Sequence, residues 1–556
     1  MSAELNLKAL PTEAYAVARV AHTVAKSLIA LRPALSLCST LVSLLLPLVR
    51  RCHPLWRFTA RWYVAGFDRL AAWHALQACR SARQQVPAYR QFLSASTRVR
   101  PRERLVDFPE TTKDNYAGRY TLAQQCRGGR WSARGACIDE SSGSTGRPFN
   151  WLRSGAELED IHRSIAHYIR LEFPTRDLIC INAFSMGAWA TGLNFTMAMR
   201  RIATVKSIGP DVANIIATLK LFGPGFNYLI TAYPPFLKHL CDELTNAGVP
   251  PREYRLYALV AGEGMTEALR DYLERRFIKV RSGYGASDVQ IGVGGETAFS
   301  VALRRLIAAR PALRHALLGP GEERVPMIFQ YNPLESFIEV NGNSELVFTL
   351  GSASMCCPKL RYNLHDEGRV LPYPEVLRIV KRVTGLEPSK LGDLPDAAMR
   401  LPVLFLFGRR DSTISVMGAN IYPQDIEHGL LRDPELARGI ANFSLALGED
   451  ADLSLRVTVH VELRATEPLS PPAAHDMSQV LERAIHAHLI ASNRDFANAC
   501  SELPSATRIG VILHGAGAGP FADRTNGIKN RYLLRRRAAA AQATCTEPHS
   551  GASGHG

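Results

Sequence analysis

A chain of 556 residues, 46% hydrophobic and 21% charged, has the composition of a globular protein and is too long for one ordinary core. Much of its net charge of +15 lies at Arg50–Arg51, at Arg98, Arg100, Arg102 and Arg104, and at Arg531 and Arg535–Arg537, without aromatic interleaving or a recognition-helix pattern. That argues against nucleic acid and for anionic small molecules or an anionic membrane surface as partners. The eleven cysteines show no CxxC or Cys/His zinc spacing, and adjacent Cys356 and Cys357 suit buried thiols in a reducing cytoplasm.

Residues 1–100 read as helices rich in Ala, Leu and Arg, with Phe67, Leu70, Trp73 and Leu76 as a buried stripe. No N-terminal secretory signal is expected, because the first apolar run, Pro33 to Val49, starts too far in. That run lies at the short limit for a membrane span and carries two prolines, so a buried, partner-packing or membrane-surface helix is expected instead. From residue 101 to 410, short apolar runs alternate with amphipathic stretches, which predicts α/β layering. Leu178–Ile181 and Leu256–Val260 read as strands, and Glu267–Phe277 as a helix opened by Thr266. Thr297 to Leu318 reads as a helical insertion able to reshape a pocket. Residues 411–537 form a smaller unit, with a half-wet strand at Ser454–Glu462 and an amphipathic helix at Ser478–Leu489. Residues 538–556, rich in Ala, Gly and Ser, are expected to be disordered.

Several short blocks carry chemistry. In Ser141, Ser142, Gly143, Ser144, Thr145 and Gly146, glycines let the backbone approach a polyphosphate while hydroxyls and amides donate to it. Ala261-Gly262-Glu263 and Gly283-Tyr284-Gly285-Ala286-Ser287-Asp288 each follow a strand-like run, which puts them where open α/β sheets hold ligands. Tyr284 offers a flat face to a purine, and Asp288 a carboxylate to magnesium. Asp366 suits the two hydroxyls of a ribose, and Arg409 its oxygens or those of a phosphate. Phe184, Met186 and Trp189, between a strand and a helix, suit an apolar pocket wall.

The ordered blocks SSGSTGRP, AGEGMTEALRDYL, YGASD, LRYNLHDEG, GRRDSTISVMGANIYPQDIE and NGIK resemble the adenylate-forming superfamily of acyl-CoA synthetases, over roughly residues 85 to 535. Within it the likeness is to phenylacetate-CoA ligase and its capsule-biosynthesis-related cousins. The resemblance implies a helical N-terminal segment, a large adenylation domain of layered sheets and helices, and a small mobile α+β lid hinged at Asp411. It implies ATP, Mg2+ and coenzyme A. A carboxylate attacks the α-phosphate, pyrophosphate leaves, and the lid then turns so that the thiol displaces AMP. Lys529 would serve the first step; it is the only lysine after Lys390. Two positions depart from the family pattern: Ser287-Asp288 replaces Thr-Glu, and Ile528 separates Gly527 from Lys529. The alternatives are an acceptor other than coenzyme A (carrier protein, amine or hydroxyl) and a degenerate nucleotide-binding relative.

Overall fold

The structure, a computed structural model, describes residues 32–61, 67–95, 104–141, 149–250, 252–322, 324–387, 399–409, 414–421, 423–430, 433, 439–449, 455–464 and 470–522. A hairpin of β1 (Cys137–Ser141) and β2 (Phe149–Arg153) precedes the main sheet. Eleven strands then form one sheet: β3 (Leu178–Asn182), β4 (Thr204–Ser207), β5 (Asn227–Ala232), β6 (Arg255–Ala261), β7 (Lys279–Ala286), β8 (Gln290–Gly295), β9 (Met327–Tyr331), β10 (Phe337–Val340), β11 (Glu345–Leu350), β12 (Lys359–Leu371) and β13 (Val403–Arg409). Their spatial order is β10-β11-β12-β13-β9-β8-β7-β6-β5-β3-β4.

The sheet has two halves that differ in strand direction. From β4 to β7 the neighbours are parallel and joined through helices, and from β7 to β10 they are antiparallel. The inner parallel strand β3 is buried on both faces, as its unbroken Leu-Ile-Cys-Ile-Asn requires, whereas β4 at the sheet edge is partly exposed. The expected strands at Leu178–Ile181 and Leu256–Val260 are β3 and β6. Thr266 caps its helix by accepting from the Leu269 amide, but that helix ends at Leu273 rather than Phe277. Helices Ala298–Ala309 and Pro311–Leu318 fill the expected insertion. Phe299, Leu303, Leu313 and Leu317 pack against Val403 and Phe405 of β13. Arg304 alone of these two helices lines the cavity described below, so the insertion is mainly sheet cover rather than pocket wall.

The described part of the N-terminal segment, residues 32–61 and 67–95, is helical. In Phe67–Gln85 the buried stripe is Ala71, Ala75, Leu76, Ala78, Cys79 and Ala82, with Trp73 only partly covered, because helical period 3.6 does not hold a three-residue spacing on one face. Helix Arg32–Arg51 is fastened by buried Arg50, whose guanidinium reaches Asp160 at 2.6 Å and Glu335 at 3.4 Å. Leu37, Leu41, Leu44, Leu45 and Leu48 of that helix are exposed, with Leu44 at 64%. No described helix is long and apolar enough to cross a membrane.

The C-terminal residues build a separate sheet of β16 (Ile440–Glu449), β17 (Leu455–Leu463) and β18 (Ile509–His514), after a short hairpin of β14 (Ile414–Val416) and β15 (Ala419–Ile421). β17 buries Val457, Val459 and Val461 while Arg456 stays exposed, so the predicted alternating strand is present. The amphipathic stretch at Ser478–Leu489 lies inside helix Pro471–Ser492. Helix Pro423–Leu430 crosses it closely at Gly429, where a Cβ would stand 2.7 Å from the Ile485 Cα.

Candidate active site

A cavity of about 690 Å³ opens at the carboxyl ends of β3, β6 and β7 and is closed by β12, β13 and the β14–β15 hairpin. Parallel strands all present their carboxyl ends to one edge, so loops that are remote in sequence converge there. Gly262, Glu263, Tyr284, Gly285, Ser287 and Asp288 line it from the parallel half. Asp366 and Arg409 line it from the antiparallel half, and Ser141, Phe184 and Trp189 from the connecting segments. Ser142, Gly143, Ser144, Thr145, Gly146, Asp411 and Lys529 lie outside the described residues.

Asp288 is buried and shared. The Lys113 ammonium stands 3.1 Å from its Oδ2, and the Tyr362 hydroxyl donates to the same oxygen at 3.1 Å. Burial raises the Asp288 pKa, but Lys113 and Arg409 outweigh it and hold the carboxyl below its ordinary range. Lys113 gets there because residues 110–113 run along β12. The Thr111 amide donates to the Arg361 carbonyl at 2.9 Å, and the Asn363 amide donates to the Thr111 carbonyl at 2.8 Å. Lys113 also donates to Ser141 Oγ at 3.2 Å, and Trp151 Nε1 donates to that oxygen at 2.9 Å, so the first residue of the Ser/Gly block is fixed from two sides. An ionised carboxylate facing the cavity fits a hard divalent cation, which would compete with Lys113 for it.

Asp366 pairs in register with Arg409 across β12 and β13, and Arg409 Nε lies 3.8 Å from its Oδ1. The Tyr284 hydroxyl donates to Asp366 Oδ2. Burial, then the Asp366 charge, pushes the Tyr284 phenol far up, so it stays a donor. The Tyr284 ring stacks on Phe329 with centroids 5.6 Å apart, so the phenol is held rigidly beside the carboxylate.

Glu263 follows β6 in a tight passage. Gly262 has φ +92°, and a Cβ there would stand 2.6 Å from the Tyr233 ring. One Glu263 oxygen accepts from the Met417 amide of the β14–β15 turn at 2.8 Å, while the other is buried without a partner. Burial raises the Glu263 carboxyl to about 8, against which the Met417 hydrogen bond pulls down. An orphaned polar oxygen on the cavity wall is a ready contact for a ligand amine or hydroxyl.

On the apolar side, Phe184 is buried against Phe195 and Tyr233, and Trp189 borders the cavity while its Nε1 donates to Asp495 at 2.8 Å. Met186 does not line the cavity: its side chain packs toward Gly192 and Gly209 instead. Ser185 donates to Glu502 at 2.6 Å, so helix Arg494–Glu502 of the C-terminal unit touches this turn twice. Farther in, Trp56 of helix His53–Arg61, Tyr168, Met399 and Leu401 wall the cavity next to the glycines of β8.

Three participants escaped the sequence reading: Lys113, Tyr362 and Arg153. The Arg153 guanidinium is buried among Asp139 and Glu157, at 3.3 and 3.0 Å, and donates to the Val289 carbonyl at 2.7 Å. It ties the β1–β2 hairpin to the turn bearing Asp288. A basic residue inside the strand Phe149–Arg153 was the available signal.

The chain matches no protein-family model. It is similar to the phenylacetate-coenzyme A ligase of Aromatoleum evansii, 24% identical over 434 residues, 73% of this chain and 84% of that one. It is also similar to the phenylacetate-coenzyme A ligase of Pseudomonas putida, 24% identical over 377 residues, 65% of this chain and 73% of that one. Among solved structures, a 2-hydroxyisobutyryl-CoA ligase in complex with 2-HIB-AMP and CoA in the thioesterification state matches with a TM-score of 0.55 at 15% identity, covering 84% of this chain and 89% of that one.

Proposed function

We propose that this chain, a member of the adenylate-forming superfamily on its phenylacetate-CoA ligase branch, activates an aryl or other apolar carboxylic acid with ATP and passes the acyl group to coenzyme A. The observation that carries this is one cavity in which Asp366, Tyr284 and Arg409 form a fixed polar cluster, Asp288 and Lys113 a charged one, and Phe184 and Trp189 an apolar wall.

Asp366 accepts from the ribose hydroxyls while Tyr284 and Arg409 hold it in place. Arg409 and Lys113 face the phosphate side, where negative charge develops as the acid attacks the α-phosphate. Mg2+, held by Asp288, would neutralise the phosphates when bound. Glu263 keeps a polar atom beside the reacting groups, and the aromatic wall excludes water from the activated acyl group. Residues 411–537 act as the lid, with Asp411 as hinge and Lys529 bridging the α-phosphate and the acid carboxylate. The Trp189–Asp495 and Ser185–Glu502 contacts belong to one lid position, and they break when the lid turns.

We place the reaction in the cytoplasm at a membrane surface. The exposed leucine face of helix Arg32–Arg51, with exposed Arg51 and Arg57 beyond it, has the apolar and basic character of an interfacial helix. Deleting residues 1–55 should abolish sedimentation with anionic liposomes; equal sedimentation of both forms contradicts the assignment.

Lys529→Ala should abolish acid-dependent ATP–pyrophosphate exchange while leaving thioester formation from a supplied acyl-adenylate. If both half-reactions survive, Lys529 has no part in adenylation.

A further inference from the structure

Outside the cavity, three thiols meet that are remote in sequence. Cys126 ends the one-turn helix Leu122–Gln125, and Cys357 follows it by 231 residues. Their sulfurs are 3.2 Å apart, Cys356 Sγ lies 4.0 Å from Cys357 Sγ, and all three sulfurs fall within 4.8 Å of one another. Three thiolates placed about 2.3 Å from one zinc ion in tetrahedral directions stand about 3.8 Å apart, inside that spread.

The backbone already holds this arrangement. The Arg127 amide donates to the Cys356 carbonyl at 2.9 Å, and its guanidinium donates to the carbonyls of Met355 and Gly351 at 3.2 and 3.0 Å. Cys126 and Cys357 are buried, whereas Cys356 is partly exposed, so an ion can reach the cluster from that side. A disulfide would consume two of the thiols and strand the third; a cation uses all three.

We propose that Cys126, Cys356 and Cys357 bind a thiophilic divalent cation, zinc, whose fourth position is a water on the Cys356 side. Binding exchanges three S–H bonds for three metal–thiolate bonds and releases the protons to solvent. The Glu157 carboxylate stands within electrostatic reach of Cys126 and Cys356, and its buried Oε2 has no hydrogen-bond partner, so it is available to accept from that water. The site is structural. It would fasten the segment leading into β12, which carries Tyr362 and Asp366, to the helix end at Cys126. It abuts Leu152 of β2, the return strand of the hairpin whose first strand ends at Ser141.

The test is cobalt titration of the reduced, chelator-stripped full chain. Thiolate-to-cobalt charge-transfer bands and tetrahedral d–d bands should saturate at about one equivalent and vanish on adding zinc. Cys126→Ser should lose the charge-transfer bands, and Cys180→Ser, buried elsewhere in β3, should keep them. Zinc should raise the melting temperature of the wild type and not that of Cys126→Ser. Absence of the bands in the wild type overturns the proposal whether or not the variants fold, as does their persistence in a Cys126→Ser/Cys357→Ser double variant. Peptide mapping that finds Cys126 disulfide-linked to Cys357 in protein purified without reductant also overturns it.

Discussion

The two halves of the main sheet supply the cavity in different ways. The parallel half offers the ends of strands: Glu263 follows β6, and Asp288 follows β7 in the turn to β8. Position there is set by topology, because each βα unit returns the chain to the same edge. The antiparallel half offers side chains from within strands, and which residues meet is set by register: Asp366 opposite Arg409, and Tyr362 reaching Asp288. A one-residue slip in β12 would turn Asp366 and Tyr362 to the other face. The parallel half should therefore tolerate backbone-neutral changes that the antiparallel half does not.

The largest effect is expected at the turn between the two halves, where the β1–β2 hairpin is anchored. Arg153 fastens the hairpin to the Asp288 turn, and Arg153→Ala leaves Asp139 and Glu157 buried without their cation. Breaking a buried ion pair in this way costs about 3–5 kcal/mol, readable in urea denaturation as a lower midpoint. In the parallel half, Glu263→Gln keeps the shape but removes a titration. The wild-type carboxyl rises in the fold from an ordinary value of 4.5 to about 8, so its neutral form is favoured by folding. That stabilisation is complete below 4.5 and is lost as the pH climbs toward about 8. Glu263→Gln should match the wild type at the acid end and exceed it at the alkaline end, by about 1–3 kcal/mol after allowing for relaxation of the site. Parallel stability–pH curves would refute the burial of that charge.

In the antiparallel half, Asp366→Ala should weaken ATP binding roughly tenfold to a hundredfold by calorimetry, the worth of charge-assisted hydrogen bonds to a ribose. Unchanged ATP affinity would remove Asp366 from the nucleotide site. The smallest effect belongs to Lys113, which is partly exposed: Lys113→Met should cost about 0.5–1 kcal/mol at neutral pH. The Asp288 pKa is depressed in the fold, so its stabilisation is present above the ordinary carboxylate range and is lost as the pH falls through the depressed value. Without Lys113 that loss begins at higher pH, and the acid-unfolding midpoint should move upward.

The same contrast explains what the sequence disclosed. Glu263, Tyr284 and Asp288 were legible because apolar strand runs followed by glycine and a carboxylate mark strand ends. Of the three apolar residues after β3, Phe184 and Trp189 line the cavity and Met186 does not, because local turn geometry decides which of them faces inward. Lys113 and Tyr362 acquire their roles only through the pairing of residues 110–113 with β12, and no local pattern encodes that pairing. The thiol cluster was likewise hidden. Neither CxxC spacing nor a histidine marks it, and the fold closes 231 residues to bring Cys126 to Cys357.

The most direct test of the account is ATP–pyrophosphate exchange over a panel of aryl and medium-chain carboxylic acids, repeated with coenzyme A while AMP and thioester are followed. The account predicts exchange that depends on an apolar acid, with AMP and thioester appearing in equal amounts once coenzyme A is added. Measurable ATP binding with no exchange for any acid would contradict it.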